Sequence, residues 1–407
     1  MKRLVVVGAS LAGLRAVEAA RRAGFAGTVT LVGAEEHLPY DRPPLSKGFL
    51  DVGGPDRVEP FRPEAVLRDE LRVELVLGAP AEGVDTAARE VAVGGRTVVY
   101  DALVIATGAA PRPFPDADHL AGVHSLRTAQ DAVAIRDALD TGARTVVIGA
   151  GFIGSEVASA GRKRGLPVTV VEAAPLPLTR SVGREVGAVC ADLHRAAGTD
   201  LRLGVGVSGV ESAGGAVTGV RLDTGEVLPA DLVVLGIGVT PATGWLEGSG
   251  VPLHERDRGV VCDATLATGV PGVYAAGDVA HVPNPLFDGQ LMRLEHWTNA
   301  AEQGAAAARH ALDPASARAL ATVPYFWSDW YSHRIQFVGT PVADEVAVVV
   351  PAEDGFVALY RRQDRLVGAL TVDRPRDIMK LRRRVADRGA WSEAVAFAET
   401  LRPTVAV

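Results

Sequence analysis

An α/β chain with two nucleotide-binding units and a C-terminal α+β unit is predicted by three observations. A strand, a glycine turn, a helix and a second strand open the sequence; the same unit recurs from about residue 144; and the last 80 or so residues carry strand-like runs without it. The 407 residues leave room for two or three domains, each with its own core. Apolar residues make up 48% and charged residues 22%, a balance that excludes a disordered, collagenous or coiled-coil chain.

The first strand is RLVVV, Arg3 to Val7, a short β-branched run suited to a buried parallel strand. It ends in Gly8-Ala9-Ser10-Leu11-Ala12-Gly13, and a helical pattern follows to about Ala23. Gly24 closes that helix, TVTLVG gives the second strand, and Glu35 and Glu36 follow it. A pyrophosphate needs such a tight turn, with close backbone approach and a helix N-terminus aimed at its charge. Ser10 stands where the GxGxxG pattern has its middle glycine, and serine is small enough to keep the site.

In the second copy Gly149, Gly151 and Gly154 follow the strand Thr145 to Ile148. Glu172 ends the next strand, 23 residues after Gly149, close to the roughly 20 expected of a ribose-binding acid. Such a carboxylate accepts from both ribose hydroxyls and repels a 2′-phosphate, which favours NADH; Lys163, Arg164 and Arg180 nearby leave NADPH open. Two dinucleotide sites in one chain point to FAD plus NAD. Two further segments agree: DALVIATG, Asp101 to Gly108, is a buried strand, and GVYAAGDVA sets Gly277 and Asp278 just past another, where the aspartate can meet a ribityl chain.

Cys190 and Cys262 are the only cysteines, 72 positions apart, so no disulfide framework, zinc cluster or CxxC pair can be built. The nine histidines include no HExxH. A net charge of −7 argues against nucleic acid. No stretch of 18 apolar residues marks a membrane span, and the short, glycine-punctuated start is no signal peptide, so a cytoplasmic location is expected. Charge is uneven: from Tyr360 to Arg388 ten Lys or Arg face four Asp.

The segments LPYDRPPLSK (38–47), GFIGSE (151–156), AAGD (275–278), EHWTNA (295–300) and FWSDW (326–330) occur in order along the chain. Together they resemble the NADH-dependent ferredoxin reductases that serve oxygenase systems, the putidaredoxin-reductase type. The resemblance covers essentially the whole chain. It implies two Rossmann-like dinucleotide-binding domains, one for FAD and one for NAD, plus a C-terminal α+β domain. The FAD domain would span 1–109 and 242–320, the NAD domain 110–241, and the C-terminal domain 321–407. Pro111, Pro113 and Pro115 mark one crossover and Thr240-Pro241 the other. In the tail, EVAVVV, FVALYR and RLVGALTV precede a helical, basic stretch.

By the same resemblance Gly8, Ser10 and Gly13 cradle the FAD pyrophosphate, with Glu35 or the Ala34 backbone at the adenosine ribose. Ala81 offers backbone contact to adenine; Arg42 and Arg127 approach the cofactor, the latter at the FAD phosphates. Gly277 and Asp278 hold the ribityl chain, and Trp297 lies beside the isoalloxazine at the start of a helix over 297–310 with Thr298 or Asn299 as N-cap. Gly149, Gly151, Gly154 and Glu172 hold NAD. Lys47 and Glu156 are the expected catalytic pair, meeting where flavin and nicotinamide meet and positioning the hydride donor.

The implied activity takes hydride from NADH and passes single electrons to an acidic iron–sulfur ferredoxin, which feeds a monooxygenase or dioxygenase. Trp327 and Trp330 would lie near the exit edge. The basic stretch at 360–388 offers a docking face, with Arg293 and Arg309 as alternatives. A disulfide oxidoreductase is disfavoured because YDRPPLSKGFL has no cysteine. An FAD protein that binds NADH as a redox sensor, with little electron-transfer turnover, is the rival from another class.

Overall fold

The computed structural model describes residues 1–351 and 355–402; the last five residues of the expected C-terminal domain lie outside the described residues. The chain forms two compact units. The first comprises Met1–Asp41, Val58–Ala110 and Val239–Pro324; the second comprises Arg42–Arg57, Pro111–Gly238 and the chain from Tyr325 on.

The first unit is built on a five-stranded sheet in the order Val273–Ala275, Ala102–Ile105, Arg3–Val7, Thr28–Val32, Val73–Val76, every neighbouring pair parallel. Its central strands are continuous apolar runs because both faces are covered. The helices Leu11–Arg22 and Trp297–Leu312 pack on each other closely enough that a Cβ on Gly304 would lie 2.1 Å from the Ala12 carbonyl oxygen. The unit also holds the meander Ala81–Asp85, Glu90–Val93, Arg96–Val99, the set Val260–Val261, Ala280–Asn284, Gln290–Arg293, and, save for Pro111, the two-stranded pair Ala109–Pro111 with Val239–Pro241.

The second unit repeats the design, in the order Asp200–Leu203, Val168–Glu172, Thr145–Ile148, Leu232–Leu235, Val123–Ser125, again all parallel. It also holds a five-stranded antiparallel sheet, ordered Tyr325–Trp330, His333–Gly339, Arg365–Val372, Phe356–Arg362, Glu345–Val350. Helices Pro375–Ala386 and Trp391–Glu399 follow it. Its first two strands, one of them carrying FWSDW, were not among the runs expected from the sequence. The aromatic run hides its alternation: Ser328 and Trp330 are buried while Trp327 and Asp329 are half-buried.

Candidate functional site: two glycine turns and a buried carboxylate

The two glycine turns are packed alike. Gly8 has φ +121°, and a Cβ there would lie 2.0 Å from the Ala106 carbonyl oxygen; Gly149 has φ +99°, with Gly236 O at 2.4 Å. A Cβ on Gly13 would meet Gly8 O at 1.9 Å and one on Gly154 would meet Gly149 O at 2.3 Å. The first and third glycines are therefore demanded by the strand–helix approach. The middle position is roomier: a Cβ on Gly151 would find its nearest atom at 3.5 Å, and Ser10 sits in extended backbone at φ −121°. This is why serine is tolerated there.

Each turn opens a helix, Leu11–Arg22 or Phe152–Lys163, that has no side-chain cap and no acid in its first turn. The N-terminal N–H groups and the positive helix end are thus left to an anion such as a dinucleotide pyrophosphate. The residues present at both turns fit a dinucleotide pyrophosphate, as FAD and NAD each carry. Glu172 Oε2 accepts the Ala150 N–H at 2.9 Å and Oε1 accepts the Ala174 N–H at 2.8 Å, which fixes its carboxylate beside the second turn.

The other expected FAD contacts in the first unit have definite partners. Glu35 Oε2 accepts from the Tyr40 hydroxyl at 2.7 Å. Ala81 begins the Ala81–Asp85 strand opposite Val93. The Gly277 N–H donates to Gln303 Oε1 at 2.8 Å, and the Asp278 carbonyl accepts from Arg293 Nη1 at 3.0 Å. Trp297 Nε1 donates to Asp41 Oδ1 at 2.8 Å. Its helix runs Trp297–Leu312 with His296 at the N-cap, so neither Thr298 nor Asn299 caps it; Asn299 lies inside the first turn and donates to Leu294 O at 3.2 Å.

In the second unit Lys47 and Glu156 meet as an ion pair, Nζ to Oε2 at 2.8 Å. Glu156 is 2% exposed and is surrounded by donors. Ser46 Oγ donates to Oε2, Ser328 Oγ donates to Oε1, and the Asp329 N–H reaches Oε1 at 3.2 Å. Trp330 Nε1 donates in turn to Ser328 Oγ at 2.8 Å. Ser46 and Ser328 stand inside the PPLSK and FWSDW segments, but sequence reasoning gave them no role, since a serine carries no signal until its partner is known. Arg42 Nη1 donates to the Arg127 carbonyl at 2.6 Å; Arg127 and Thr128 donate their N–H groups to Asp131 Oδ2 in a capping box on the helix Ala129–Asp140.

Trp330 is fully buried against His194, with ring centroids 5.0 Å apart, and is a core residue rather than an exit group. Trp327 is half-buried, with Arg334 5.9 Å from its ring centroid. The charge of the basic stretch is partly spent internally. Arg361 pairs with Glu345, Arg374 and Lys380 with Asp377, and Arg383 with Asp387, while Arg384 lies over the Phe397 ring. Both cysteines are free and buried, and burial pushes each thiol up to about 12. Among the described residues no helix is long and apolar enough to cross a membrane.

Comparison with known proteins agrees with this geometry. The pyridine nucleotide-disulphide oxidoreductase family matches residues 2–304, and the reductase C-terminal family matches residues 325–402. The chain is 38% identical over 388 residues to rhodocoxin reductase of Rhodococcus erythropolis, covering 94% of this chain and 89% of the relative. It is 36% identical to the ferredoxin–NAD(+) reductase component of the p-cumate 2,3-dioxygenase system of Pseudomonas putida, covering 96% and 94%. Among solved structures, the covalent putidaredoxin reductase–putidaredoxin complex aligns with a TM-score of 0.89 at 32% identity, over 98% of each chain. Matched along almost its whole length by both domain families and by these reductases, the chain belongs to the pyridine nucleotide-disulphide oxidoreductase family, in the branch of ferredoxin reductases that carry the reductase C-terminal domain.

Proposed function

We propose that this protein is an FAD-dependent ferredoxin reductase that oxidises NADH and delivers electrons to an iron–sulfur ferredoxin serving an oxygenase. The observation that carries the reading is two dinucleotide cradles in a chain without a thiol relay. Its two cysteines are buried and lie in different units, so two electrons entering as hydride have no disulfide to reduce. The relatives named as ferredoxin reductase components of dioxygenase systems, and the solved complex with putidaredoxin, support an iron–sulfur protein as acceptor. Bound FAD would supply the change from the two-electron chemistry of NADH to the one-electron chemistry of an iron–sulfur acceptor.

The chain's own residues bind and orient. The two uncapped helix starts hold the pyrophosphates, and Glu172 receives the NADH ribose. Lys47 and Glu156 position the nicotinamide against the flavin, and Arg293 steadies the Asp278 backbone at the ribityl chain. A cytoplasmic location, where reduced nicotinamide is available, suits this role.

Anaerobic stopped-flow tests the reading. NADH should bleach the flavin rapidly, NADPH more slowly, and an added oxidised ferredoxin should then be reduced. A long-lived reduced protein that passes electrons to none of several ferredoxins would point instead to a redox sensor with little turnover.

A further inference from the structure

Away from the glycine turns, the first unit gathers two histidines and an aspartate around one point. His254, Asp257 and His281 each offer a ligand atom, and these atoms all lie within 4.8 Å of one another. The imidazole rings stack, with centroids 4.3 Å apart and planes at 16°. Asp257 Oδ1 lies 2.8 Å from His281 Nε2 and 3.3 Å from His254 Nδ1. Four ligands at about 2.0–2.1 Å around a tetrahedral ion stand roughly 3.3 Å apart, so the spacing suits a metal once the His254 ring turns out of the stack to aim its in-plane lone pair at the same point as His281.

We propose that His254, Asp257 and His281 form a three-ligand site for a borderline first-row transition metal such as Zn2+, with the fourth position open to water. Two imidazoles and one carboxylate suit zinc or its neighbours and not Mg2+ or Ca2+, which prefer all-oxygen sets. His254 Nδ1 stands 3.3 Å from Asp257 Oδ1, and a cation bound there would take the Nδ1 lone pair over from the long 3.4 Å contact with the Arg256 N–H.

The outer shell is in place. Arg293 Nε donates to Asp257 Oδ2 at 2.8 Å, and the Gly259 N–H donates to Oδ1 at 3.2 Å, which orients the carboxylate as outer-shell donors do around metal ligands. The Arg293 charge is shared with Glu295, 2.8 Å away. A bound ion would staple the 254–259 loop to the strand Ala280–Asn284, and Arg293 links that point to the Asp278 carbonyl.

The test uses the FAD-loaded full chain, stripped with a chelator and dialysed against Zn2+, with bound metal counted and the melting temperature followed. The expected result is one equivalent of zinc per chain, not displaced by excess Mg2+, with a rise in melting temperature. His254→Ala and His281→Ala should each weaken zinc binding by no less than the roughly 10–100-fold typical of losing an outer-shell partner. His310→Ala, outside the cluster, should leave it unchanged. If His281→Ala does not fold, the more exposed His254 position decides alone. No retained zinc, equal retention by His254→Ala, or displacement by Mg2+ would overturn the proposal.

Discussion

Lys47 Nζ stands 2.8 Å from Glu156 Oε2, joining residues 109 positions apart, and the same carboxylate takes three further donors from Ser46, Ser328 and the Asp329 backbone. Removing one side of a buried pair commonly costs about 3–5 kcal/mol, because the other charge is left without its partner. Glu156→Ala should therefore lower the melting temperature clearly. Lys47→Met should do so less, since Glu156 keeps three donors and the Lys47 side chain is already 20% exposed. If the pair also positions nicotinamide, both variants should slow flavin bleaching by NADH at least about tenfold. Unchanged bleaching in Lys47→Met would remove the pair from that role.

Glu172 meets two backbone N–H groups, one on each oxygen, at 2.9 and 2.8 Å. An amide cannot replace it, because its NH2 would face an N–H donor. Glu172→Ala should raise the KM for NADH and narrow the preference over NADPH by on the order of 10–100-fold, since like-charge repulsion of a 2′-phosphate is worth several kcal/mol. Steady-state kinetics with both nucleotides give the ratio. A variant with the wild-type ratio would place nucleotide selection elsewhere.

Much of this was legible in the sequence for a plain reason. Glycines at 8, 13, 149 and 154 are forced by backbone approach, and a strand buried on both faces must be a continuous apolar run, so both nucleotide units announce themselves. Ser46, Ser328, Gln303 and Asp41 were not legible, because each acts through one hydrogen bond across 26 to 256 positions of chain. The helix begins at Trp297 as expected, but its cap is His296 rather than Thr298 or Asn299: a Thr-Asn pair is the better local cap, and packing against the first helix overrides that preference. The strand Tyr325–Trp330 lacks a visible period of two because aromatic residues lie on both its faces, and His333–Gly339 lacks one because it is buried on both faces from Ile335 on.

Cys190 and Cys262 should behave as inert core residues. Burial pushes both thiols up to about 12, so at neutral pH almost no thiolate exists to react. A chromogenic thiol reagent should find no fast-reacting group in the native protein and two after denaturation. The Cys190→Ala, Cys262→Ala double variant should still reduce ferredoxin at close to the wild-type rate. Loss of electron transfer with normal flavin content would instead reveal a thiol step.

His194 gives the protein a pH limit on the acid side. Its ring is fully buried, held between Ser155 Oγ at 3.1 Å and the Tyr331 hydroxyl at 2.6 Å, and burial pushes it down to about 4 from its ordinary 6.5. Burial likewise lowers His296 to about 4. Above pH 6.5 each histidine is neutral in folded and unfolded chains alike, so nothing is lost. Between 6.5 and 4 the unfolded chain takes up protons that the folded chain refuses, and stability falls as pH falls, by at most about 1.4 kcal/mol per pH unit for each histidine. Urea unfolding at pH 7, 6 and 5 should show midpoints dropping over this window. His194→Gln should be less stable at pH 7, because the Ser155 and Tyr331 contacts are disturbed, yet show a shallower drop, since one of the histidines whose protonation burial opposes, which also include His124 and His281, has been removed. A variant whose midpoints fall in parallel with the wild type would mean that His194 takes up its proton in the folded chain as readily as in water.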